Sequence, residues 1–314
     1  MLKYTIKRIL IAIPVLIGIT ILDYAIMSLA GSPLEMMIGP KTSEAALEAR
    51  AIRLGLDKPF YVQYFVWLMN VLRGNLGYSV KSYQPVSEII GNHLGPTLLL
   101  MGTSLLLGLA IAIPIGIYSA VHRYTRRDYA LVTISFFGTS VPSFFLALIF
   151  IYLFTVRLGW LPSSGIRTAG GDGGIADLIW HLIMPVLILA ISVAGSNIRY
   201  VRGAVLEILQ KDYVRTAKSK GIGRFLVINK HALRNALIPI VTVIGMQIPT
   251  LFGGAVIIEQ IFSWPGLGLI TMNAITGRDY PVIMGVALLT AIVVLLSNLL
   301  TDIIYALVDP TIKY

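Results

Sequence analysis

The stretch "LGPTLLLMGTSLLLGLAIAIPIGIYSAV", residues 94–121, carries no charged side chain from end to end. About 20 mostly apolar residues let an α-helix cross the hydrocarbon core of a bilayer. An Arg, Lys or Asp at the centre of such a helix would cost roughly 2.5–3.5 kcal/mol, so a charge-free run of this length marks a membrane span. Five further stretches are long and apolar enough to span, the first and last with one Asp each: Ile9–Ala30, Tyr129–Val156, Leu178–Ile198, Ala236–Ile258 and Val282–Leu307. The whole chain agrees, being 56% hydrophobic and 13% charged with a mean hydropathy of +0.82; soluble domains carry about 25% charged residues. The expected fold is an all-α integral membrane protein with six transmembrane helices, forming one domain over residues 1–314. Residues 1–30 hold the first span, 31–93 a loop, and 94–314 a five-span core interrupted by a polar loop at 199–237.

Prolines at Pro14, Pro114, Pro142, Pro185, Pro239 and Pro249 fall inside these spans and are expected to kink them. The first span is too long for the apolar region of a cleaved signal peptide, and no small-residue cleavage site follows it. The net charge of +10 gives a basic excess, and its placement in loops between apolar runs favours a membrane over nucleic acid. Lys and Arg of short loops set orientation. With the amino terminus inside, the inside segments hold Lys3, Lys7, Arg8, Arg123, Arg126, Arg127, nine basic residues from Arg199 to Arg234, and Lys313. The short outside loops hold only Arg157, Arg167 and Arg278. Both termini and the 199–237 loop are therefore expected in the cytoplasm.

The loop after the first span has helical signals of its own. Thr42 or Ser43 can cap a helix over Glu44–Leu54 that stops at Gly55. Pro59 opens "PFYVQYFVWLMNVLRG", which ends at Gly74 and is too short to span. It either covers the outer ends of other helices or serves as a lid or docking platform. In the polar loop, the fourth span should continue through "RYVRGAVLEILQ" beyond the membrane. Asp212 can cap a second helix over Tyr213–Lys220, and Gly221 can supply the left-handed residue that ends it. "RFLVINKHALRNAL" then leads back to Pro239. A helix of two turns on polar arms is marginal alone. It either inserts into a partner or lies as a solvated basic loop that holds topology or phospholipid headgroups.

Cysteine is absent, which excludes disulfides, thiolate metal sites and redox motifs. No Gly-Lys dipeptide occurs, so no P-loop of the usual wording is present and any driving nucleotide binds a partner. His93, His122, His181 and His231 fall at loop edges without metal-ligand spacing, and no catalytic constellation or metal site is expected. Small and polar span residues are candidates for lining a translocation path: Thr103, Ser135, Thr139, Ser140, Ser192, Ser196, Asn197, Gln247, Ser297 and Asn298. The same residue types also serve ordinary interhelical packing. Asp23, in the first span, reads as a paired or interfacial carboxylate or as a proton or substrate site, and Asp302 as a boundary residue. Trp264, Pro265, Gly266, Leu267 and Gly268 form a turn on the outer side, either a gate or plain structure. A proton-coupled carrier using Asp23 or Asp302 is the rival class, but it leaves the large polar loop without a task. A serine protease built on "PSSG" at 162–165 lacks a histidine on a later span, and an uncoupled channel would need no partner.

The polar loop resembles the coupling loop of ABC-importer permeases, whose motif is Glu-Ala-Ala, three residues, Gly, nine residues and Ile-x-Leu-Pro. Arg215, Thr216 and Ala217 stand at the first three positions, Gly221 at the glycine, His231 and Leu233 at Ile and Leu, and Arg234 at the proline. The wider wording is more specific. "DYVRTAKSKG" (212–221) and "KHALRNALIPIV" (230–241) resemble the dipeptide, oligopeptide and nickel permease family. So do "KRILIAIPVLIGIT" (7–20), "GLDKP" (55–59), "LPSSG" (161–165), "IEQIFSWPGLGLI" (258–270) and "DPTIKY" (309–314), which cover essentially the whole chain.

That resemblance implies a type I ABC-importer fold and a subunit that transports rather than catalyses. It implies a second, similar permease subunit, two cytoplasmic ATPases that bind ATP and Mg, and an extracytoplasmic binding protein that delivers cargo. Asp212, Arg215, Thr216, Ala217, Lys218 and Gly221 would seat the Tyr213–Lys220 helix in a cleft of the ATPase. The turn at 264–268 would be a re-entrant outer gate. Peptides are the first expected cargo, with nickel, glutathione-like thiols or sugars as alternatives, in a bacterial plasma membrane.

Overall fold

The computed structural model describes residues 2–29, 58–171, 173–221, 223, 226, 227, 245, 247 and 255–308. Its helices are α1 (Leu2–Leu29), α2 (Phe60–Leu72), α3 (Val86–Val121), α4 (Arg126–Ser140), α5 (Ser143–Phe150), α6 (Ile175–Leu209), α7 (Asp212–Ser219), α8 (Val256–Ile261), α9 (Leu267–Thr276) and α10 (Tyr280–Val308). A π-helical segment, Ile151–Arg157, continues α5.

Four of these are long and apolar enough to cross a membrane: α1, α3, α6 and α10. α4 with α5 and its π-helical extension makes a fifth candidate crossing, broken by a 92° bend. The expected fifth span, Ala236–Ile258, lies almost wholly outside the described residues, as does the Glu44–Leu54 helix; only Ala255–Ile258 of its end is seen, opening α8. The described residues therefore carry four or five of the six expected spans.

α3 and α6 form the centre, running side by side in the same direction. Glycine makes this possible: a Cβ on Gly108 would sit 2.5 Å from Val193 Cγ1, and one on Gly116 2.7 Å from Val201 Cβ. Ala112, between them, is fully buried against Ala194 and Ile198. Small residues at four-residue spacing bring two helix backbones close enough for dense packing, which drives association where lipid is as apolar as the protein. α3 starts at Val86, a little over two turns before the expected Leu94, with Pro85 as its N-cap and the Val86 N–H donating to the Gly77 carbonyl at 3.0 Å. α6 runs past the expected Ile198 to Leu209, as the continuation through 199–210 predicted.

The return strand of the bundle departs from expectation. Tyr129–Val156 reads as one kinked span, but the helix stops at Ser140 and restarts at Ser143. Val141 is extended (φ −81°, ψ 123°), the conformation a following proline imposes through steric clash with its Cδ. Pro14, Pro114 and Pro185, and Pro96 as well, sit within continuous helices. The broken pair still follows α6 in the opposite direction, from Arg202 beside Asp128 to Met184 beside Ala147. α1 packs along α10, and Tyr24 of α1 meets Phe60, Tyr64 and Trp67 of α2 ring to ring. α2 spans Phe60–Leu72 after Pro59, with Gly74 at φ +81° beyond it, as the sequence predicts.

Candidate functional site

α7 stands at the end of α6, separated from it by Gln210 and Lys211. The Lys211 carbonyl accepts from the N–H groups of Val214 and Arg215, so Asp212, expected as the cap of a Tyr213–Lys220 helix, is instead the first residue of a helix that ends at Ser219. Thr216 Oγ1 donates to the Asp212 carbonyl at 3.0 Å and Ser219 Oγ to the Arg215 carbonyl at 3.1 Å. The helix is strongly two-faced. Val214 (0% exposed) and Ala217 (6%) pack on Val227, Ile208 and Leu209. Tyr213, Arg215, Thr216, Ser219 and Lys220 are exposed, Arg215 with 75% of its side chain in the open and Asp212 Oδ1 3.9 Å away. Ala217, expected on the docking surface, instead seats the helix on its own chain. Gly221 has φ +75°, the left-handed conformation the chain reversal requires. The side chain of Lys218 and residues 228–237 lie outside the described residues.

The candidate path residues fall into three groups. Ser135 and Thr139 of α4 meet α6 where the two helices cross at Gly195; Ser140 follows Thr139 on α4, and Ser192, Ser196 and Asn197 lie within one turn of Gly195 on α6. A Cβ on Gly195 would lie 2.7 Å from the Ser135 carbonyl and 3.0 Å from Thr139 Cγ2. Within this group Thr139, Ser140, Ser192 and Ser196 are exposed, whereas Ser135 and Asn197 are buried. Asn197 exchanges hydrogen bonds with Gln247: Gln247 Nε2 donates to Asn197 Oδ1 at 2.9 Å. Phe136 and Phe137 flank the exposed hydroxyls, and the Arg199 guanidinium lies 4.4 Å over the Phe136 ring. Thr103 sits apart on α3, donating to the Leu99 carbonyl at 2.6 Å. Ser297 and Asn298 belong to α10, where Asn298 lines a groove of about 290 Å³ with Arg8 and Leu16. The structure thus places six of the ten near the Gly195 crossing and links Gln247 to them through Asn197, leaving three elsewhere.

The turn at Trp264–Gly268 is closed by buried polar groups. Trp264 is fully buried and its Nε1 donates to the Pro96 carbonyl at 2.9 Å. Thr97 Oγ1 donates to Glu259 Oε1 at 3.0 Å and accepts from the Leu267 N–H at 2.7 Å, while Leu269 N–H donates to Glu259 Oε2 at 3.0 Å. Glu259 is itself fully buried, and its carboxylate satisfies the Leu269 N–H, and Thr97 Oγ1 the Leu267 N–H, which the first turn of α9 would otherwise leave unpaired. A Cβ on Gly266 would come 2.5 Å from both the Glu259 carboxylate and Thr97 Oγ1. Glycine there is a matter of space.

Two buried carboxylates besides Glu259 were not singled out from sequence. Asp279 accepts from Ser79 Oγ and from the Val80 N–H at 3.1 Å, tying the 74–85 loop to the start of α10. Asp128 accepts a bidentate pair from Arg202, Nε at 2.8 Å and the terminal nitrogen at 2.7 Å, and further bonds from Ser119 Oγ and the Tyr124 N–H. Thr125-x-x-Asp128 has the spacing of a capping box, and Thr125 does cap α4; that was the available signal. His93 and His181, expected at loop edges, lie inside α3 and α6 and bond to carbonyls four residues back.

Comparison with known proteins adds the lineage. Residues 112–314 match the family described as binding-protein-dependent transport system inner membrane component, and residues 1–101 match that family's amino-terminal model. The chain is 45% identical to the oligopeptide transport system permease protein AppB of Bacillus subtilis over the full length of both. It is 38% identical to the glutathione transport system permease protein GsiC of Escherichia coli K12, again over all of both chains. Among solved structures, a subunit of the MetNI methionine ABC transporter superposes with a TM-score of 0.58 at 21% identity, covering 71% of this chain and 97% of that one. That likeness establishes the fold.

Proposed function

The chain belongs to the binding-protein-dependent transport system inner membrane component family, as an ABC-importer permease of the peptide and nickel group, and on that premise we propose that it forms one side of a peptide translocation path driven by separate ATPase subunits. It is a multi-pass protein of the bacterial inner membrane. The Lys and Arg distribution supports a cytoplasmic position for both termini and for α7. A second, similar permease subunit would complete the path, an extracytoplasmic binding protein would deliver cargo, and the ATPases would hold ATP and Mg.

The observation that carries this reading is the two-faced α7. One face is buried on the extension of α6 and the other leaves Tyr213, Arg215, Thr216 and Ser219 exposed. A lever needs a rigid seat on the moving part and a free surface for the driver, and α7 has both. The exposed hydroxyls of Thr139, Ser140, Ser192 and Ser196 support a path that recognises peptide backbone without fixed charge. The buried turn at 264–268 would act as the outer closure.

Because the chain has no cysteine, Ser219→Cys gives a single thiol on the exposed face of α7. A bifunctional crosslinker added to native membranes should capture an ATPase that has its own P-loop. Labelling by soluble maleimide with no protein captured would overturn the coupling role. Peptide uptake should be lost when the chain is deleted; unchanged peptide uptake with lost nickel uptake would move the cargo to nickel on the same machinery.

A further inference from the structure

The Asp128–Arg202 pair fastens three helices at one carboxylate. Ser119 comes from the last turn of α3, Asp128 from the first turn of α4, and Arg202 from α6, about two turns before its end. The Tyr124 N–H, on the elbow between α3 and α4, completes the set; Tyr124 holds φ +63°, an unusual value for a residue with a Cβ. Asp128 has 2% of its side chain exposed and Arg202 24%. On the neighbouring face of α6, Val201 and Val205 pack on Ala120 of α3, with Ile208 and Leu209 at the edge of that cluster. Ile208 and Leu209 are also the residues on which Val214 and Ala217 of α7 rest. An unbroken series of packed side chains therefore runs from α7 along α6 to the end of α3, and the Asp128–Arg202 pair joins it to the start of α4.

We propose that Asp128 and Arg202 are positioning residues for transport: they clamp the α6 extension to the α3–α4 elbow, so that a displacement of α7 moves three helices as one body. This rests on the reading of α7 as the coupling helix. Apolar contacts between helices are non-directional and let one helix slide past another. A bidentate guanidinium–carboxylate fork fixes register as well as distance, and buried ion pairs are best attested in that register-setting role. Without the fork, the α7 stroke would be absorbed by slippage of α6 against α3 and α4.

The test uses the assembled complex in liposomes, with binding protein and a defined peptide, and reads three quantities: amount of complex, ATP hydrolysed, and peptide taken up per ATP. The variant carrying Asp128→Asn and Arg202→Gln leaves no buried unpaired charge, so complex amount and ATP hydrolysis should stay near the unaltered level while uptake per ATP falls about tenfold, within the range for residues that carry coupling. A second variant, Asp128→Cys with Arg202→Cys in cysteine-free partners, should show the same loss and recover when the two thiols are joined by a short bifunctional reagent. Unchanged uptake per ATP in the neutral variant would overturn the proposal. So would a thiol link that blocks uptake, since the two helices would then have to separate during the cycle. If the unaltered complex shows no ATP-dependent uptake, the importer reading itself fails, and that control is read independently of either variant.

Discussion

The α8–α9 turn and the α7 helix are both short elements beside a glycine, one near the starts of α3 and α6 and the other beyond the end of α6, yet they are held in opposite ways. At the turn, Trp264, Thr97, Glu259 and Leu267 are all buried and every polar group named there has a partner. At α7, among the described side chains, Val214 and Ala217 are covered while Asp212 and Arg215 are exposed. The turn is interior: its glycines are required because neighbouring atoms occupy the space a Cβ would need. The loop is surface: Gly221 is required by its backbone angle, with open space around its Cβ position. Buried polar groups cost stability when left unmade, and exposed ones cost almost nothing. Substitutions at the two ends should therefore differ sharply in what they disturb.

The largest effect expected is at Gly266. A methyl there would press on the Glu259 carboxylate and Thr97 Oγ1 from 2.5 Å, and neither can move without losing its own hydrogen bond. Gly266→Ala should destabilise the detergent-solubilised protein by about 3 kcal/mol, the upper range for overpacking, seen as a fall in thermal unfolding midpoint. A neutral result would mean the turn is loosely held and would erase the contrast with α7.

Trp264→Phe comes next. It removes the bond to the Pro96 carbonyl and part of a fully buried ring packed on Leu100, Leu182 and Val186. About 2 kcal/mol is expected from the lost hydrogen bond and the residual cavity together. The same melting experiment ranks it between Gly266→Ala and the substitutions at α7.

Val214→Ala sharpens the other side. Two methylene-sized groups leave a fully buried position, worth about 1.5 kcal/mol by area. Because α7 rests, among the described residues, on the end of α6 and on Val227, the loss should appear as faster amide exchange over residues 212–220, with the global melting midpoint hardly moved. A fall in the global midpoint equal to that of Trp264→Phe would show that α7 is part of the core.

What the sequence made legible follows the same division. Long apolar runs located α1, α3, α6 and α10, with no charge in those of α3 and α6 and a single Asp in each of the other two, because the bilayer penalises charge, a constraint read residue by residue. Gly221 and the α6 continuation were legible for the same local reason. The break at Val141–Pro142 was not, since Pro114 and Pro185 also follow an apolar residue within apolar spans and leave their helices intact. Whether a proline bends or breaks a helix depends on where the next segment finds its packing. The Asp128–Arg202 pair joins residues 74 apart, and no local pattern among Arg123, Arg126, Arg127 and Arg202 says which cation the carboxylate selects. Ala217 matched the family wording, and the structure shows the position serving the seat of α7 rather than its free face.

The smallest stability effect expected is at Arg215, and it is the most informative about function. Its side chain is 75% exposed and its only carboxylate contact among the described pairs is Asp212 at 3.9 Å, itself 97% exposed. Exposed pairs at this spacing contribute a few tenths of a kcal/mol, so Arg215→Ala should leave the melting midpoint within about 0.5 kcal/mol of the unaltered chain. Any loss in crosslinking from Ser219→Cys to an ATPase must then come from docking and not from folding. Arg215→Lys keeps the charge but loses the planar fork. If it restores capture, the partner cleft reads charge alone; if it does not, the cleft reads the bidentate geometry of a guanidinium. Should Arg215→Ala leave capture untouched, the contact must rest on Tyr213, Thr216 and Ser219, and the docking face would be polar and aromatic, with the basic excess of the loop left to fix topology.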